Sequence, residues 1–138
     1  MRRSVIMIVL ASLAIAGCAD TVLGKSVAEP QVAVVHARMH DKQFEEIYAT
    51  AGDEFRKAAP KEKVIALFSA IDRKLGGPKS SKTVNWNVRT FNFKTIVVLV
   101  EDTEFAQGKG TEMFTFLVSG QKAELIGYNI NSTDMLIK

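Results

Sequence analysis

The chain has a single cysteine, Cys18, so no disulfide within it can hold the fold, whatever the redox state of its compartment. It has 2 histidines, His36 and His40. Their four-residue spacing would set both on one helix face as metal ligands, yet no third ligand stands at a matching spacing. His36 also falls on an apolar helical stripe, which reads as a histidine satisfied at the edge of a core. No metal or other cofactor is implied. Long apolar runs are missing too: Val5 to Ala16, with Ser12 inside it, falls short of the ~20 residues that a membrane-spanning helix needs. Neither charge sign dominates. There are 18 Lys and Arg against 15 Asp and Glu, or 16 against 15 once Arg2 and Arg3 are set aside, which provides no clustered basic face for a nucleic acid. Internal repeats and low-complexity tracts are absent from the sequence.

What is present begins at the N-terminus. Arg2 and Arg3 supply a positive segment, Val5 to Ala16 an apolar one, and Leu13-Ala14-Ile15-Ala16-Gly17-Cys18 places small residues ahead of the cysteine. That order predicts an export signal. Ala14-Ile15-Ala16 would satisfy an ordinary signal peptidase, but the whole segment resembles the bacterial lipobox. There the cysteine thiol takes a diacylglyceryl group, a dedicated peptidase cuts before it, and the new amine is acylated. The resemblance implies that Ile15, Ala16 and Gly17 are the signal-peptidase recognition positions and Cys18 the lipid attachment site. Residues 1–17 are then a lipoprotein signal peptide, and the membrane is a partner through the N-terminal lipid. Each buried methylene adds about 0.8 kcal/mol, so two or more acyl chains hold stably where one holds marginally. In such lipoproteins an Asp directly after the cysteine marks inner-membrane retention; here that position is Ala19 and the acid follows at Asp20. The implied address is the cell envelope, at the outer membrane and facing the periplasm.

Ala19 to Ala28 contains Asp20, Gly24, Lys25 and Ser26 without a sustained hydrophobic period. Residues 18–28 accordingly read as a lipidated, flexible tether, with a reach of at most ~35 Å. Residues 29–138 have the size of a single domain. Val32, Val35, His36 and Met39, then Phe44, Ile47, Tyr48, Ala51 and Phe55, follow helical spacing on either side of His40-Asp41-Lys42. They predict two short helices or one kinked helix. Val64, Leu67, Phe68, Ile71 and Leu75 form one stripe behind Pro60, which suits a first turn. Gly76-Gly77-Pro78 should stop that helix, because glycine takes the left-handed cap and proline cannot extend the ladder.

From Lys82 the period becomes two. Val84, Trp86 and Val88 alternate with Asn85, Asn87 and Arg89, as in a strand with one solvated face. Ile96 to Val100 reads as a strand buried on both faces. Glu112, Phe114 and Phe116 alternate with Met113, Thr115 and Leu117, and Ala123 to Asn131 forms a last strand. Turns are expected at Gln107-Gly108-Lys109-Gly110 and Ser119-Gly120-Gln121-Lys122. Helices followed by strands exclude a doubly wound parallel sheet, which needs alternation. The expected fold class is α+β: N-terminal helices packed on a curved antiparallel four-stranded meander, a cone-like roll. Phe44-Glu45-Glu46-Ile47-Tyr48, Trp86-Asn87-Val88, Glu112-Met113-Phe114-Thr115-Phe116 and Leu125-Ile126-Gly127-Tyr128-Asn129-Ile130-Asn131-Ser132 resemble uncharacterised bacterial members of the nuclear transport factor two-like, or cystatin-like, superfamily. The resemblance implies a fold and only weakly a function.

No catalytic motif stands out. Enzymes of that superfamily often place an Asp with a His or Tyr inside the cone, and no such Asp–His pair matches here. Glu45 and Glu46 read as a solvated helix face. Gly108-Lys109-Gly110-Thr111 joins two strands, whereas a phosphate loop must open a helix. Asn131-Ser132-Thr133 fits a glycosylation acceptor by pattern alone, against a bacterial signal. Trp86, Tyr48 and Tyr128 suit either core packing or a cavity mouth. Two classes remain: a non-catalytic binding domain for an envelope protein or small ligand, and an enzyme or substrate-binding accessory using the cone interior. A pair of titratable residues at inward positions would favour the second; a filled core with exposed apolar surface would favour the first.

Overall fold

The computed structural model describes residues 17–137, with side chains from residue 21 onward. Most of the expected export segment, including Ile15 and Ala16, lies outside the described residues, while Gly17 and Cys18 enter as backbone at the start of helix α1 (Gly17–His40). Ala28, Val32, Val35 and Met39 are buried along α1, one stripe at helical spacing. The flexible tether expected at residues 18–28 is corrected: that stretch belongs to α1. Gly24 explains why no apolar period announced it. A Cβ at Gly24 would stand 3.2 Å from Thr95 Cγ2 and 3.4 Å from Val97 Cγ2, so helix and sheet meet there through a missing side chain.

Lys42, at φ 58°, turns the chain into α2 (Phe44–Thr50), and α3 (Asp53–Ala58) follows. Phe55 therefore lies in a helix of its own. The clearest expected helix is present as α4 (Lys61–Leu75), with Pro60 as N-cap and Val64, Phe68, Ile71 and Leu75 buried. Each such side chain contributes roughly 1.5–3 kcal/mol by leaving water. Gly76 caps it at φ 74°. A Cβ there would lie 2.8 Å from that of Ala106, so glycine is required on two counts.

Four strands follow: β1 (Pro78–Phe91), β2 (Lys94–Phe105), β3 (Gly108–Ser119) and β4 (Lys122–Asn131). They pair antiparallel in chain order, which is the expected α+β meander. α1 touches all four strands, so the sheet wraps around it as an open roll. Because the helices cover only one face, the two-sided burial expected for Ile96 to Val100 is corrected: Val97 and Leu99 are buried while Ile96 is exposed. A short helix α5 (Thr133–Ile137) was not anticipated. Ser132 Oγ caps it, accepting the Met135 N–H at 3.3 Å and donating to Lys109 O at 2.6 Å.

The β1–β2 turn puts Asn92 at φ 49° and Phe93 at φ 61°. Two-residue hairpins favour such left-handed pairs, but with Asn, Asp or Gly in them. For a bulky residue this region costs roughly 1–2 kcal/mol, against about 0.5–1 kcal/mol of extra chain entropy for glycine. Phe93→Gly should therefore raise the stability read from urea unfolding by about 0.5–1 kcal/mol. An unchanged or lower midpoint would show that Phe93 is not strained.

Candidate functional site

Polar side chains on the inner sheet face converge on one acid. Glu112 stands in phase with Phe114 and Phe116 on β3 and is fully buried. Thr103 Oγ1 on β2 donates to Glu112 Oε2 at 2.6 Å, and Tyr128 OH on β4 donates to Oε1 at 2.6 Å. His36 Nε2 on α1 lies 2.6 Å from Oε2. A carboxylate only accepts, so this nitrogen carries the proton and a neutral His36 keeps Nδ1 as an acceptor. Both carboxylate oxygens are thus engaged by donors from three elements. Phe114 borders the cluster, edge-on to His36 at 5.5 Å and to Tyr128 at 5.2 Å between centroids.

A second acid, Glu101 on β2, is paired in register with Glu112 and is also buried. It accepts a hydrogen bond from Thr83 Oγ1 at 2.5 Å. Backbone irregularities aim these partners. The register shift between Thr83 and Asn85 lets Thr83 face inward along with Trp86 and Val88, which simple alternation forbids. The shift opposite Thr115 and Phe116 does the same for Leu125 and Tyr128. Bulges re-aim side chains in this way, commonly beside sites.

Burial, then the Glu112 charge and the hydrogen bond to it, hold the Tyr128 phenol well above its ordinary ionisation range. Above the usual phenol value of about 10, the unfolded chain releases this proton while the folded chain keeps it. Stability should therefore fall as pH rises from about 10 toward the folded value. Tyr128→Phe should remove that alkaline loss and cost about 1.5–3 kcal/mol at neutral pH, as for a hydrogen bond to a charged group. Tyrosinate absorbance, followed with unfolding, checks both; a phenol at Tyr128 that ionises freely in the folded chain would refute the assignment.

Beside the cluster, an open cleft of about 400 Å³ is lined by Glu29, His36, Lys79, Ser81, Thr83 and Glu101. Glu112 does not line it. A larger hollow, about 620 Å³, lies at the β2–β3 hairpin end, where Asp102, Glu104 and Lys109 are exposed. It contains no buried acid or histidine. His40 is exposed and pairs with Asp41, so the two histidines do not share a site. Among the described residues no group of three or more His, Cys, Asp or Glu is placed to hold a metal. Trp86, Tyr48 and Tyr128 also separate: Trp86 is half-exposed with Lys25 Nζ 5.6 Å from its ring centroid, and Tyr48 OH donates to Arg56 O at 3.4 Å. Gly108 to Thr111 starts β3, where the Lys109 N–H donates to Asp134 at 2.9 Å.

Neither Glu101 nor Glu112 stands out in the sequence as a site residue. The signal was available for Glu112, an acid in phase with two phenylalanines. Its partner His36 is 76 residues away, beyond the reach of spacing rules. Compared with known proteins, the chain matches no family model and no curated sequence.

Proposed function

We propose that this protein is a cell-envelope lipoprotein, held by acyl chains on Cys18 at the outer membrane and facing the periplasm, whose folded part is a non-catalytic binding domain. One observation carries the choice of binding over catalysis: both oxygens of the buried Glu112 are taken by protein donors, and Glu112 does not line the cleft beside it. A saturated acid behind packed aromatic rings has no room to meet a substrate. Apolar surface is available elsewhere, since Ile96 and Met113 are exposed on the outer sheet face, as suits an envelope-protein or small-ligand partner. The lipid-anchor reading is supported by Ile15, Ala16 and Gly17 directly before Cys18. Among the described residues no helix is long and apolar enough to cross a membrane.

Feeding labelled fatty acid tests the anchor. Label on the wild type and none on Cys18→Ser is the expected result; label retained by the variant, or missing from the wild type, would defeat it. Ala19→Asp should move the protein from the outer- to the inner-membrane fraction on a density gradient. Wild-type protein found only with inner membranes would overturn the address.

A second reading, an enzyme or substrate-binding accessory, draws on the cleft that His36 and Glu101 line. It would be favoured by a small ligand whose uptake His36→Gln abolishes without unfolding the chain.

A further inference from the structure

The most exposed aromatic side chains lie together at the β1–β2 hairpin tip. Phe91 is 76% and Phe93 106% exposed, and Phe93 is presented from a left-handed turn position that disfavours it. Folding alone does not account for a phenylalanine there. Arg89 and Lys94 flank the pair.

The start of α1 lies at the same end of the molecule. Gly24 sits against Val88, Thr95 and Val97, near the end of the β1–β2 ladder, where Phe91 pairs with Lys94. Cys18 precedes Gly24 by six helical residues, about 9 Å at 1.5 Å per residue. Phe91 lies three strand residues beyond Val88, about 10 Å. Both run on from the Gly24 contact toward that end, and Val22 and Leu23 on the intervening helical turn are exposed.

From this we infer that the β1–β2 hairpin tip is a membrane-contacting element that dips Phe91 and Phe93 into the interfacial layer of the bilayer carrying the Cys18 lipid. The inference rests on the lipid-anchor reading. A helical start to the mature chain has no slack, so the end of the domain nearest Cys18 faces the lipid surface. Aromatic side chains favour the interfacial zone, and an apolar tip rimmed by cations suits a depth of roughly 5–10 Å with the cations left among headgroups. Two side chains projecting from a turn suit a soft surface better than a shaped protein pocket.

The test uses the full chain, made in a lipidating bacterium and reconstituted into phosphatidylethanolamine–phosphatidylglycerol vesicles. With the Cys18 thiol acylated, Asn92→Cys offers one thiol for an environment-sensitive fluorophore between the two phenylalanines, and Glu104→Cys places the same probe at the opposite end of the sheet. The expected result is a blue-shifted emission at position 92 that lipid-borne spin labels quench, with neither effect at position 104. Both effects should disappear when Phe91→Ser and Phe93→Ser are combined with the position-92 probe. Water-like emission at 92, on a chain whose mass shows the acyl groups, would overturn this inference alone. A blue shift that lipid-borne quenchers do not touch would overturn it in favour of a protein partner or second copy. A chain without acyl mass would defeat the anchor reading, and this one with it.

Discussion

Glu112→Ala should destabilise the fold by roughly 3–5 kcal/mol, because it leaves three buried donors without their acceptor, at about 1–3 kcal/mol each before relaxation. The substitution strands the Tyr128 and Thr103 hydroxyls and the His36 ring, which all donate to that carboxylate, and leaves a void among packed rings. Relief of repulsion from Glu101, directly opposite in register, offsets part of the loss. Glu112→Gln separates the contributions. It keeps the volume but turns one acceptor into a donor, so at least one partner faces a second donor, at a cost of about 1–3 kcal/mol. The expected order in urea unfolding is wild type, then Gln, then Ala. A Gln variant more stable than the parent would mean that repulsion between the two acids outweighs the hydrogen bonds, and that the network is no stabilising device.

Phe68→Ala should cost a similar amount, about 3–5 kcal/mol, for a different reason. Phe68 is fully buried in α4, with its ring 6.2 Å from that of Phe44 and 5.0 Å from that of Tyr128. Truncation leaves a cavity between helix and sheet that a close-packed interior collapses only in part. It also frees Tyr128 to leave Glu112, so Phe68→Ala and Tyr128→Phe together should cost less than their sum. Leu67→Ala, one position away but 37% exposed, is the control and should cost well under half as much. Equal losses at the two positions would contradict the burial assigned to α4.

Helix α4 and the meander were legible because their signals are local. Pro60, the apolar stripe and Gly76 delimit the helix within seventeen adjacent residues, and the turns at Gly108 and Gly120 delimit the later strands. The start of α1 was illegible because Gly24, which meets the sheet, and the buried Ala28 carry almost no hydrophobic signal. The site was illegible for a tertiary reason. Alternation placed Glu112 on the face of Phe114 and Phe116, but only the fold brings His36, Thr103 and Tyr128 to it, and Thr83 and Tyr128 face inward through bulges that a strict period of two excludes. Helix α5 escaped because Ser132 belongs to a three-residue glycosylation-like pattern as readily as to an N-cap.

The meander has a consequence for the order of folding. Each strand pairs only with its neighbours in the chain, so every sheet contact is available as soon as the next hairpin exists, at low loop-closure cost. Helix α1 is the opposite case. It leaves the ribosome before the sheet, yet its apolar stripe packs on all four strands, and the bond from His36 must wait for an acid 76 residues downstream. Because α1 touches all four strands, cover for Val32, Val35 and Met39 is completed only when β3 and β4 join α2, β1 and β2. A helix made before the sheet is thus fully shielded only when the last strands exist, and its exposed interval is set by the time taken to make them.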